Sequence, residues 1–303
     1  LWPSSYKKEG KKLKKIFLLL SILCIFLSGC IKRDSMEDIK IYTTIYPIEF
    51  ITSRLYSDYS NIESIYPKGV KVQLENCIEC ELYTLTEKQI SDYSKSDLFI
   101  FNSLLYESNY VRPMLENNNS LKIINATDHL VASDYYGLEE LWLDPSRLLT
   151  LARNIKNGFD EYIDNYYLKN KIEENFNLLK EDLDKLESRM SEMTKKSDNK
   201  VLVTGDRVFE FLGKEKYGLT VYTINEETSK KTLETVKSLI NSKKVKYIYI
   251  KQYEDANEVI NELIKGTDVE VISINTLVNL TENERSSKKD YFMIMNENIE
   301  LLK

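Results

Sequence analysis

Apolar positions along this chain follow two rhythms that alternate. Short β-branched runs at Ile39–Thr43, Asn61–Tyr66, Asp97–Phe101 and Leu121–Asn125 read as strands, and Ile48–Leu55, Thr86–Tyr93 and Tyr106–Leu115 between them carry helical spacing. The alternation returns after residue 200, with strands Val201–Thr204, Leu219–Ile224, Val245–Ile250 and Val269–Ile274. Helical patterns follow at Arg207–Lys214, Lys231–Asn241, Asn257–Lys265 and Asp290–Leu302. Such alternation predicts an α/β fold of two (β/α) lobes with parallel sheets.

From Asp144 to Lys195 the pattern is helical, with a break between Asp160 and Tyr166. Leu179, Leu183, Leu186, Met190 and Met193 keep a three-to-four spacing that makes one apolar stripe. A second α/β half follows, so the stripe predicts a long helix packed along two lobes rather than a solvated coiled coil. Two helix starts have a mechanism. Thr86-Glu-Lys-Gln89 is a capping box, and Asp144-Pro145 pairs a good N-cap with a residue preset for the first helical position. The expected organisation is a signal peptide over 1–29, a tether over 30–37, an N-terminal lobe over 38–145, a helical linker over 146–196 and a C-terminal lobe over 197–303. Ligands of open parallel sheets bind beyond the carboxyl ends of the strands, which places a ligand cleft between the lobes.

Charge changes the picture of the partner. The net charge is −6, but the first 29 residues hold six lysines against Glu9, a surplus of five, so residues 30–303 carry −11. An acidic domain is unsuited to nucleic acid, whose binding depends on Lys and Arg displacing phosphate counterions. It suits cations. The lysines precede Ile16 to Leu27, twelve apolar or small residues, too few for a hydrocarbon core that needs roughly 20. A basic start, a short apolar core and small exit residues read as a secretory signal. Leu27-Ser28-Gly29-Cys30 resembles the bacterial lipobox, which makes Cys30 the lipidation site and anchors an extracytoplasmic protein to the outer face of the cell membrane. Cys77 and Cys80 then remain, as a small disulfide loop, free thiols or half of a metal site.

At the expected cleft several acids fall on loops. Asp206 lies two residues past a strand and Asn275 directly after one, Glu79 and Glu81 precede the Thr86 helix, and Glu139 and Glu140 precede the Asp144 cap. An enzyme reading has little behind it: one histidine, His129, rules out a Ser-His-Asp set with a choice of base, no Gly-rich phosphate loop follows a strand, and paired acids alone do not identify a glycosidase.

Most of the chain, roughly Ile39 to Lys303, resembles the metal-binding lipoproteins of bacterial ABC importers for zinc and manganese, the cluster A-I solute-binding proteins. The resemblance is carried by TTIYPIEFI (43–51), DLFIFNS (97–103), WLDP (142–145), VTGDRVFEFLGKEKYGL (203–219) and DYFMIMNENIELL (290–302), in that order. It implies two lobes bridged by a rigid helix, a monomer, a divalent metal (zinc, manganese or another) as transported ligand, and an ABC permease with its ATPase as partners. The family usually holds its metal with three histidines and one carboxylate. Those positions fall here on Glu81, Glu140, Asp206 and Asn275. His129 matches no ligand position and reads as a loop residue.

Carboxylates in place of imidazoles make an oxygen-rich shell, which suits Ca²⁺, Mg²⁺ or Mn²⁺ better than zinc. Three converging carboxylates need a positive charge between them. The readings are a metal ion, with Glu79 or Cys80 as extra ligands, internal neutralisation by Arg207, or a cationic organic solute. A member that has lost metal binding and acts as a surface adhesin is a further alternative, since tyrosine is favoured at interfaces and the chain holds 21.

Overall fold

The computed structural model describes residues 36–302, apart from 71, 73, 75–82, 136 and 198–199. Its first sheet is built on β1 (Ile39–Thr43) and β3 (Leu98–Phe101), both nearly wholly buried, flanked by β2 (Ser60–Ser64) and β4 (Lys122–Asn125). All pairings are parallel, in the order β2-β1-β3-β4. Central strands covered on both faces read as continuous apolar runs, whereas the edge strand β2 alternates half-buried and exposed positions. The helices α1 (Tyr46–Tyr56), α2 (Glu87–Tyr93) and α3 (Ser108–Asn117) make the crossovers.

The second sheet repeats the plan with β5 (Val201–Thr204), β6 (Thr220–Thr223), β7 (Tyr247–Lys251) and β8 (Glu270–Ile274), all parallel in the order β6-β5-β7-β8. Between the sheets run the short α4 (Glu140–Leu143), then α5 (Pro145–Tyr162) and the 31-residue α6 (Tyr166–Lys196). The break predicted near Asp160 to Tyr166 is the corner between α5 and α6, where Asn165 caps α6 by accepting from Leu168 N. The expected stripe is buried from Leu179 to Met190, and α6 touches both halves. Arg54 of α1 pairs with Asp182 at 2.7 Å, while Arg189 reaches Asn296 and Glu300 on α10 (Tyr291–Leu301). Gly158 lets α5 approach β4: a Cβ there would stand 2.6 Å from an Ile124 methylene.

Both predicted helix starts are present. Thr86 and Gln89 form the capping box, and Asp144 accepts from Ser146 N at 2.9 Å. The helix expected at Arg207–Lys214 differs. It is a 3-10 turn, Arg207–Phe209, followed by a π-helical stretch, Phe211–Lys216, in which Tyr217 N bonds the Leu212 carbonyl five residues back. A Cβ at Gly213 would lie 2.5 Å from Val221, so the wider coil brings a side-chain-free position against β6. The helices α7 (Lys230–Asn241) and α8 (Glu258–Ile264) match expectation in place, whereas α9 (Glu282–Ser286) is an additional element. Its capping box, Thr281 with Glu284, was available as a signal in the sequence.

The main core runs from Met36 through α6 to Ile299 and so spans both halves, and a smaller cluster, including Val203, Ile248 and Ile260, lies behind the second sheet. After β8 the chain crosses to the first half and laces the two together. Val278 O accepts from Tyr46 N at 2.9 Å, Leu280 O accepts from Gly69 N at 3.0 Å, and Asn279 Nδ2 donates to Pro67 O and Val70 O. Arg285 on α9 grips Glu49 of α1 through two 2.8 Å contacts, the planar fork matching the carboxylate.

Candidate metal centre

The strands deliver their polar exits to the junction of the halves. Asp206 follows β5 and caps the next turn, its Oδ1 accepting from Val208 N at 2.7 Å. Its second oxygen, Oδ2, is 3.1 Å from the Lys251 ammonium at the end of β7. From the first half, Glu139 brings Oε1 to 3.2 Å of the same ammonium, and Glu254 adds a third carboxylate at 3.4 Å. Glu139 is 6% and Lys251 13% exposed at the side chain, so this pairing is screened little by water. Burial pushes the Glu139 carboxyl upward, a shift that Lys251 opposes. Burial acts to lower the Lys251 pKa, but Glu139, Asp206 and Glu254 outweigh it and hold the ammonium well above the ordinary lysine range.

Glu140 faces a different cation. It is fully buried at the start of α4 and forms an ion pair with Arg147 of α5, whose guanidinium lies 3.6 Å from the Phe211 ring centroid and 4.8 Å from that of Tyr135. Asp144, one turn from Glu140, takes Lys216 as its partner. Asn275 is engaged on both sides of its amide: Nδ2 donates to Glu284 Oε1 at 2.7 Å and Oδ1 accepts from Leu277 N at 2.8 Å. The structure therefore joins Asp206 to Glu139 through Lys251, places Glu140 with Arg147, and ties Asn275 into the loop after β8. Among the described residues no group of three His, Cys, Asp or Glu is arranged to hold a metal ion. Glu81, Glu79, Cys77, Cys80 and Cys30 lie outside the described residues.

The internal cations differ from the one expected. Arg207 is more than half exposed and pairs with Glu210 at 3.4 Å, whereas Lys251 and Arg147 meet the acids. Lys251 directly follows the predicted strand Val245–Ile250, so the strand-exit rule that singled out Asp206 and Asn275 applied to it equally. Arg147 had no such mark, since only the corner at Asp144 turns α5 back toward α4. His129 sits on an exposed turn after β4, beside Asp128 at 3.2 Å.

A further buried acid lies within the first half. Glu107, which precedes α3, is fully buried and accepts from Tyr66 OH at 3.3 Å; its Oε2 has no hydrogen-bond partner among the described residues. Burial raises its pKa from 4.5 to about 8. Below pH 4.5 the group is protonated both folded and unfolded, and above 8 it is ionised in both, so stability falls as pH rises between those values. Glu107→Gln should flatten that fall. Thermal midpoints at pH 6 and 9 test this: the wild type is expected to lose on the order of a few kcal/mol relative to the variant, and parallel profiles would refute the assignment.

Two parallel (β/α) lobes, a bridging helix and a polar junction at the strand ends define a class, the helix-bridged, two-lobe α/β proteins. Within it, residues 41–303 match the family described as zinc-uptake complex component A, periplasmic, and the chain belongs to that family. The zinc-binding protein AdcA of Streptococcus pyogenes is 23% identical over 96% of this chain, which spans 61% of the length of that relative. The high-affinity zinc uptake system protein ZnuA of Bacillus subtilis is 26% identical over 89% of this chain and 88% of its own length. The Zn(II)-bound ZnuA-like domain of Streptococcus pneumoniae AdcA has the same fold, with a TM-score of 0.65 at 24% identity over 88% of this chain and 97% of that one.

Proposed function

We propose that this chain is the solute-binding component of an ABC importer, anchored through Cys30 at the outer face of the cell membrane, which captures a divalent metal cation of the zinc class for its permease and ATPase. The observation that carries the reading is the meeting of carboxylates from both lobes, Glu139 and Asp206, around one positive charge. A junction built to hold a cation between lobes is what a cation receptor requires. Family membership and zinc-binding relatives support the same reading. Glu81, Glu140, Asp206 and Asn275 are the proposed donor positions, and Glu140 and Asn275 would have to leave Arg147 and Glu284 to serve as donors. Their oxygens favour hard ions, so Mn²⁺, Mg²⁺ and Ca²⁺ belong in any test beside Zn²⁺.

Thermal unfolding of the chelator-stripped chain with each ion added separately tests this. An ion present at about 100 times its Kd should add roughly 2.7 kcal/mol, visible as a midpoint rise of several degrees. The rise is expected to vanish in Glu140→Gln and Asp206→Asn. Failure of every ion to move the wild-type midpoint, together with no bound metal after purification, would remove the metal from the proposal.

A further inference from the structure

Lys251 is placed where a bound cation would draw on the same oxygens. It ends β7, one of the two central strands of the second sheet, between the exits that carry Asp206 and Asn275, with Lys251 opposite Ile274 in the register. Its ammonium reaches Asp206 of its own half and Glu139 of the other, at 3.1 and 3.2 Å. A divalent ion ligated by either carboxylate would stand a few ångströms from a fixed positive charge in a weakly screened setting, and like charges there repel strongly. The two cations therefore compete for the same oxygens.

We infer that Lys251 is a built-in competitor for the cargo, occupying the junction in the metal-free state and withdrawing when a divalent ion enters. The inference rests on the cargo reading above and concerns the specificity of the same site. The outlet is part of the structure. Glu254, three residues on, lies 3.4 Å from the ammonium and is 43% exposed, so the lysine can keep one carboxylate partner while leaving the other two. A long, flexible stem with a compact charge at its tip suits such a move, which an arginine fork would resist. While Lys251 is in place it also links the halves through Glu139, so the exchange of one cation for another breaks a contact between lobes. Affinity is thereby lowered for every ion and least for those whose charge and coordination best replace the ammonium.

Calorimetric titration of Zn²⁺ and Mn²⁺ into the full chelator-treated chain tests this against Lys251→Met and Glu254→Gln. The expected result is at least ten-fold tighter binding by Lys251→Met and several-fold weaker binding by Glu254→Gln, which loses the outlet; a merely structural lysine would not produce opposite effects. Glu254 is a surface residue, so that variant keeps the test alive if Lys251→Met does not fold. A wild type that binds, with Lys251→Met equal or weaker, or Glu254→Gln unchanged, overturns the competitor role and leaves the cargo reading standing. Absence of binding by the wild type and both variants overturns the cargo reading and this inference with it.

Discussion

Trp142→Ala is expected to lower stability by about 3–5 kcal/mol, the range for truncating a large buried aromatic. Trp142 is fully buried in α4 and acts as a tie between segments far apart in sequence. Its Nε1 donates to Thr276 O at 2.7 Å in the loop after β8, and its own carbonyl accepts from Tyr291 OH at 2.6 Å at the start of α10. Alanine would leave a void and a Thr276 carbonyl without its donor, at the point where the C-terminal half is laced to α4. At roughly 2–4 °C per kcal/mol for a protein of this size, the thermal midpoint should fall by about 6–20 °C. Trp142→Phe keeps most of the volume but lacks the N–H, so about 1–3 kcal/mol is expected. Equal losses in the two variants would show that the hydrogen bond, not the packing, carries the effect. Because α4 also holds Glu140, the alanine variant should weaken metal-dependent stabilisation as well.

Arg147→Met should cost a comparable amount, about 3–5 kcal/mol, by a different route. The guanidinium is paired with a carboxylate that has no exposure, lies 3.8 Å from Asp144 Oδ2 and is held against the Phe211 ring. Methionine preserves much of the packing but takes away the ion-pair partner of Glu140, and a buried charge deprived of its counter-ion is the expensive outcome rather than the loss of the pair itself. Adding Glu140→Gln should therefore recover most of the loss. Denaturant midpoints at constant slope measure both variants, and a double variant no better than Arg147→Met would contradict the account. Arg147→Lys should rescue only in part, since an ammonium can neither fork onto the carboxylate nor lie flat against the ring.

These two residues show what each level of description could supply. The positions of the strands, the corner after Tyr162, the stripe on α6 and the caps at Thr86 and Asp144 were all legible, because periodicity and capping depend on neighbours within a few residues. The family motifs were legible for the same reason. The coil at Phe211–Lys216 was not, since it packs Gly213 against Val221 on a strand that comes later in the chain. The partners at the junction were not legible either. Glu139 is linked to Lys251 across 112 residues, and Trp142 to Thr276 across 134.

The sequence by itself determined an acidic, two-lobe α/β protein with carboxylates in the loops at its strand ends, because composition and local spacing are enough for that. Only the tertiary structure decided which cation each acid meets. Adjacent residues such as Glu139 and Glu140 turn to different partners according to the corner made by α4 and α5, and a Coulomb interaction depends on distance in space, which the order of residues along the chain does not contain.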